Sequence, residues 1–119
     1  MKTPEQIRQE VRSACERGRT YSEKKEYDMA INEYSEAIRL DPTDVSAYLN
    51  RGIAYIHKKE YDLAIKDYSE AIRLNPTNVS AYFNRGRTYS EKKEYDLAIK
   101  DYSEAIRLDQ NYVSAYINR

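Results

Sequence analysis

Apolar positions along the chain recur at spacings of three and four, the period of an amphipathic helix. Tyr48, Gly52 and Tyr55 form one such run. Tyr61, Ala64, Ile65, Tyr68, Ala71 and Ile72 form the next, and the polar triplet Lys58-Lys59-Glu60 separates them. Asn75-Pro76-Thr77-Asn78 closes the second run, because proline cannot continue a helix and disfavours helix in the residue before it. This pattern predicts helices over 46–58 and 61–73, and again over 80–92 and 95–107. A first pair is expected over 4–24 and 27–39. Its opening helix is longer: Thr3-Pro4-Glu5-Gln6 reads as a capping box with proline at the first helical position, and Ile7 and Val11 extend its apolar stripe.

The helical pairs are copies. Val45–Asn78 and Val79–Tyr112 align without a gap and agree at 25 of 34 positions. Val11–Asp44 agrees with the third block at 23 positions, and Val113–Arg119 opens a further copy. The organisation is therefore an N-terminal extension of the first helix (1–10), three repeats (11–44, 45–78 and 79–112) and the start of a fourth (113–119). A single helical pair cannot bury both of its faces, so stacked copies must share a continuous core.

Composition narrows the possible chemistry. Twenty Lys and Arg balance twenty Asp and Glu in 119 residues, so the basic excess that drives phosphate binding is missing and no nucleic-acid partner is expected. No apolar run approaches the length of a membrane span, and the polar N-terminus carries no signal-peptide core, so no membrane partner is expected. Cys15 is the single cysteine, which excludes an internal disulfide and fits a reducing, cytoplasmic setting. His57 is the only histidine and lies on a different repeat from Cys15, so a Cys–His nucleophile is not expected. Neither a glycine-rich phosphate loop nor a set of metal ligands at ligand spacing is present, so the expectation is a non-enzyme without a cofactor. Thirteen tyrosines sit mostly at core positions of the repeat.

The 34-residue period and its slots resemble the tetratricopeptide repeat family. Gly18, Gly52 and Gly86 fill the small slot, and Tyr21, Tyr55 and Tyr89 the aromatic slot that follows. The second helices carry Ala30, Ala64 and Ala98, then Tyr34, Tyr68 and Tyr102, then Ala37, Ala71 and Ala105. Pro42 and Pro76 fill the terminal proline slot, from which Gln110 departs. The resemblance implies an all-α fold, a right-handed superhelical solenoid of antiparallel helix pairs that binds a peptide or partner protein in its concave groove. It places Arg12, Cys15, Glu16 and Arg19 on that groove from the first copy. Ser46, Leu49, Asn50, Ile53 and His57 follow from the second, and Ser80, Phe83, Asn84, Arg87 and Glu91 from the third. Variation concentrates there: Leu49 becomes Phe83, Ile53 becomes Arg87, Ile56 becomes Ser90 and His57 becomes Glu91, while the second helices barely change.

Three departures carry further expectations. Arg17, Arg51 and Arg85 stand where the family more often has Leu, each sixteen residues before Glu33, Asp67 or Asp101, so a guanidinium–carboxylate bridge is expected inside every repeat. Lys25, Lys59 and Lys93 replace the common turn glycine; the hand of that turn stays open at this level. The family's clamp for chaperone tails uses Lys, Asn, Asn, Lys and Arg, and the corresponding residues are Cys15, Arg19, Asn50, Ser80 and Asn84, of which Asn50 alone matches. Tight binding of such a tail is therefore not expected. A competing reading is a structural or engineered array that self-associates, as a homo-oligomer, through an uncapped C-terminal end near Tyr102, Ala105 and Ile106.

Overall fold

The computed structural model describes residues 1–109, and the fourth-copy segment 113–119 lies outside them. Six helices make up the described chain: α1 (Pro4–Glu23), α2 (Tyr27–Leu40), α3 (Val45–His57), α4 (Tyr61–Leu74), α5 (Val79–Glu91) and α6 (Tyr95–Leu108). Among the described residues there is no strand. Each first helix packs against its own second helix, and each second helix against the next first helix. The result is an all-α, elongated solenoid measuring 48 × 26 × 21 Å. Every helix boundary lies within one residue of its expected place.

Local chemistry explains where the helices start. The Thr3 hydroxyl accepts from the Gln6 backbone N–H, and the Gln6 side chain accepts from the Thr3 N–H, completing the capping box. Asp44 and Asn78 cap α3 and α5 by accepting from the N–H of Ala47 and Ala81, each at 2.9 Å. Ahead of those caps, Asp41 and Asn75 hold the proline turns by accepting from the backbone N–H of Thr43 and Thr77.

The ends of α1, α3 and α5 settle the question of the turn. Lys25, Lys59 and Lys93 have φ of 62°, 62° and 64°, in the left-handed region. The Lys59 N–H donates to the Ile56 carbonyl at 2.8 Å and the Glu60 N–H to the Tyr55 carbonyl at 2.9 Å, a Schellman motif repeated at the other two turns.

Within a repeat the two helices meet at glycine. A Cβ added at Gly18 would stand 2.5 Å from the Tyr34 ring, and one at Gly52 would stand 2.9 Å from the Tyr68 ring. The tyrosine therefore lies flat over bare backbone. Beside this contact, one residue earlier on each helix, the expected bridges form. Arg51 Nε and Nη2 donate to Asp67 at 2.8 and 2.7 Å, and Arg85 grips Asp101 in the same way at 2.7 and 2.8 Å. The third guanidinium nitrogen reaches back one repeat, donating to Ser35 from Arg51 and to Ser69 from Arg85. Arg51 also lies 5.9 and 5.8 Å from the ring centroids of Tyr48 and Tyr55. Burial pushes the Asp67 carboxyl up, and the hydrogen bonds from Arg51 draw it back. The Arg17–Glu33 bridge forms at 3.0 Å but stays open to solvent, with the Arg17 side chain 55% exposed.

Between repeats, small residues let helices close up: Ala37 packs with Ala14 and Ala47, and Ala71 with Tyr48 and Ala81. In the first copy, Ser13 and Thr20 take the places of the buried Ala47 and Ala54, so the outer face of α1 is polar where the matching face of α3 is apolar.

Two stability outcomes follow. Asp67→Ala leaves Arg51 buried without its carboxylate and is expected to cost about 2–4 kcal/mol, whereas Glu33→Ala in the exposed bridge costs under about 1 kcal/mol; urea unfolding of the two variants separates the cases. Lys59→Gly relieves a left-handed residue whose cost is about 1–2 kcal/mol. Set against the greater unfolded-state freedom of glycine, a net gain of about 0.5–1 kcal/mol is expected in the same assay.

Candidate functional site

The first helices α1, α3 and α5 stand side by side, and the residues that differ between copies line two clefts on that layer. The smaller, about 370 Å³, lies between α1 and α3 and brings together Arg12, Cys15 and Ser46 with Arg8, Val11, Asp41 and Asp44. The larger, about 590 Å³, lies between α3 and α5 over α4. It gathers Ile53, His57, Asn84, Arg87 and Glu91, and adds Ile56, Lys59, Tyr61, Tyr68 and Thr88.

The remaining residues of the expected groove are placed differently. Asn50 and Ser80 are half-buried and line neither cleft. Arg19 is exposed, and its charge acts on both Cys15 and Tyr34. Glu16 is exposed and lines a third, shallower cleft with Arg17 and Lys24 on α1. Leu49 is half-buried and packs against the Tyr48–Ala71–Ala81 cluster. Phe83 is only 6% exposed and belongs to the core with Ala105, although the sequence reading set it on the groove. The slot that holds cysteine in the first copy holds a larger side chain in the later two, which reaches down between the helices.

Copy-to-copy differences explain why the larger cleft opens where it does. Between the first and second repeats, His57 stacks on Tyr27 with ring centroids 4.5 Å apart and planes 2° from parallel. Between the second and third, Glu91 stands in the position of His57, and Tyr61 is left lining an open cleft. A second difference lies beneath. In the first repeat, Ser22 sits twelve residues before Tyr34, and its side chain acts on the tyrosine hydroxyl. In the second repeat the matching residue is Ile56. The Tyr68 hydroxyl, fully buried, has no hydrogen-bond partner among the described residues, and burial pushes its pKa far up. The signal for this was present in the alignment of the copies, but it acquires meaning only once residue 56 and residue 68 are seen to share a cleft.

Cys15 and His57 lie on different helices, α1 and α3. Burial pushes the Cys15 thiol up, with Asp44 adding to the effect, so the reactive thiolate is disfavoured. His57 closes α3 and is held against Tyr27 at the start of α2, whereas Cys15 lies on α1. No helix among the described residues is long and apolar enough to cross a membrane.

Comparison with known families decides the lineage. The tetratricopeptide repeat family model matches residues 45–78 and 79–112, and a related tetratricopeptide model matches residues 18–59. The chain belongs to the tetratricopeptide repeat family. Solved structures of other tetratricopeptide domains share its fold. One is the first such domain of Spaghetti (RPAP3) bound to the HSP90 peptide SRMEEVD, 30% identical, with a TM-score of 0.84 over 87% of this chain and 82% of that one. Another is the Arabidopsis OM64 domain, 27% identical, with a TM-score of 0.85 over 88% and 87% of the two chains. A third is the TPR2B domain of yeast Sti1 in a pHsp70 complex, 29% identical, with a TM-score of 0.85 over 90% and 88%. No curated protein matches the chain in sequence.

Removing the orphaned hydroxyl is expected to stabilise this tetratricopeptide array. Tyr68→Phe deletes a buried, unpartnered polar atom whose cost is about 1–3 kcal/mol, and its unfolding midpoint should rise. The same change at Tyr34, which has Ser22 beside it, should not raise the midpoint.

Proposed function

We propose that the chain is a protein-interaction scaffold that takes an extended peptide or a segment of a partner protein across the layer of first helices. The working unit is the three repeats 11–44, 45–78 and 79–112. Residues 1–10 lengthen the first helix and 113–119 open a fourth copy. The observation that carries the reading is the cleft of about 590 Å³ whose lining includes Ile53, Ile56, His57, Arg87 and Glu91, positions at which the copies differ. A packing surface in a repeat array is held constant by its neighbours; a surface for one particular ligand must differ from repeat to repeat. Family membership supports the same reading, and so does the likeness to domains solved with HSP90 and HSP70 peptides.

Asn50 and Asn84 are the residues proposed to hold the peptide backbone. A side-chain amide donates and accepts at once, which matches the alternating groups of an extended strand. Arg12, Cys15 and Ser46 border the path at one end, and Ile53, His57 and Arg87 at the other. A chaperone tail is a poor ligand on this reading, because Asn50 alone of the five clamp positions carries the clamp's residue type.

A single binding experiment tests both statements. Peptides selected from a random display library on the wild-type chain are titrated against wild type and an Asn50→Ala/Asn84→Ala double variant. Two lost hydrogen bonds at about 0.5–1.5 kcal/mol each predict a loss of about 5- to 150-fold. Equal affinities for the two proteins, or no selectable peptide at all, would sink the groove assignment. Low-micromolar binding of SRMEEVD would overturn the statement about chaperone tails.

A further inference from the structure

The larger cleft has a chemical character of its own, and this inference rests on the peptide-binding reading above. Ile53 and Ile56 give it an apolar wall, and Ile53 is 41% exposed. Arg87 projects from α5, exposed, with its guanidinium 5.8 Å from the Phe83 ring centroid. Among the described residues no carboxylate pairs with Arg87, in contrast to Arg51 and Arg85, which are each gripped by a buried aspartate. Lys59 borders the same space, and like Arg87 it has no carboxylate partner among the described residues. Against these two cations stands one carboxylate, Glu91, exposed in the last turn of α5. Tyr68 contributes to the floor, and the charges of Asp67 and Arg87 act on its buried hydroxyl in opposite senses. Asn84 adds an amide.

We propose that this cleft is a subsite for an acidic side chain of the bound peptide. The carboxylate accepts a hydrogen bond from the Tyr68 hydroxyl and pairs with Arg87, while its methylene stem lies on Ile53 and Ile56. Each part follows from an unmet requirement. A buried hydroxyl that lacks an acceptor is the group that gains most from one. An unpaired guanidinium supplies the charge that selects a carboxylate over an amide. The first inter-repeat junction offers no such subsite. There Ser22 stands beside the tyrosine hydroxyl, His57 covers Tyr27, and Ile53 occupies the position of Arg87.

The test uses capped single residues, which occupy the subsite without needing the rest of the groove. Acetyl-glutamate methylamide and its glutamine analogue are titrated into the full chain, followed by NMR of the Ile53 and Ile56 δ-methyl groups and the Tyr68 ring. The glutamate probe is expected to move these signals saturably and to bind at least fivefold more tightly than the glutamine probe. Tyr68→Phe and Arg87→Gln should each weaken the glutamate probe by threefold or more. Ile56→Ser, which gives Tyr68 the partner that Tyr34 has, should weaken it as well and reports even if one of the other variants fails to fold. Lys100→Ala, which removes an exposed cation on α6, should leave the probe unaffected, so that loss of one surface charge is not enough to explain the Arg87 result. Equal response to the two probes, an unchanged affinity in Tyr68→Phe and Ile56→Ser, or unmoved cleft methyl groups would each overturn the proposal. If library peptides fail to bind while the glutamate probe still titrates, the groove reading fails and the subsite stands.

Discussion

The tyrosine ring pressed onto the bare backbone of a glycine sets the geometry of each repeat. Gly18 and Gly52 leave no room for even a methyl group beneath Tyr34 and Tyr68, so the tyrosine ring fills the space that a side chain would take between the two helices of a pair. Everything nearby inherits its position from this contact. The residues one step earlier on both helices are brought within salt-bridge range, which is why Arg51 finds Asp67 and Arg85 finds Asp101. The hydroxyl end of the ring is carried past the glycine along the same first helix, where residue 22 acts on Tyr34 and residue 56 shares a cleft with Tyr68.

The arginines convert a contact within one repeat into a link between repeats. Each of Arg51 and Arg85 spends two donors on its own repeat and a third on the serine of the repeat before it. Other inter-repeat ion pairs lie at the surface: Lys58 pairs with Asp28 and Lys92 with Asp62 across the turns. Surface pairs of this kind contribute little to stability. The buried forks, with tyrosine rings on both sides of Arg51, hold the relative rotation of neighbouring units and hence the shape of the layer of first helices.

Function in such an array comes from breaking its own repetition. The second helices are nearly constant because they face neighbours on two sides. Three substitutions at one junction, Ser22 to Ile56, His57 to Glu91 and Ile53 to Arg87, change it from a filled seam with a stacked ring pair into an open cleft with an unpaired cation and an unsatisfied hydroxyl. A polar atom left unpaired in a protein interior is a stability cost, and costs of this kind collect at binding sites, where a ligand removes them.

The amino-acid sequence by itself determined the helices, their pairing and the bridges. Period, proline and capping chemistry are local, and a 34-residue repeat forces its copies to stack alike, so Arg17, Arg51 and Arg85 could be paired with their carboxylates by spacing alone. Tertiary structure was needed wherever an outcome depends on what a neighbouring element leaves unfilled. The left-handed backbone at Lys59 is imposed by the Schellman closure of α3 onto α4 and not by the preference of lysine. Phe83 sinks into the core because its ring extends to Tyr102 and Ala105, a distance that no periodicity encodes. The cleft between the second and third repeats, with Tyr68 at its floor, depends on residues from three helices. Only their packing in space brings an isoleucine twelve residues away into one cleft with a tyrosine, where the first repeat has a serine.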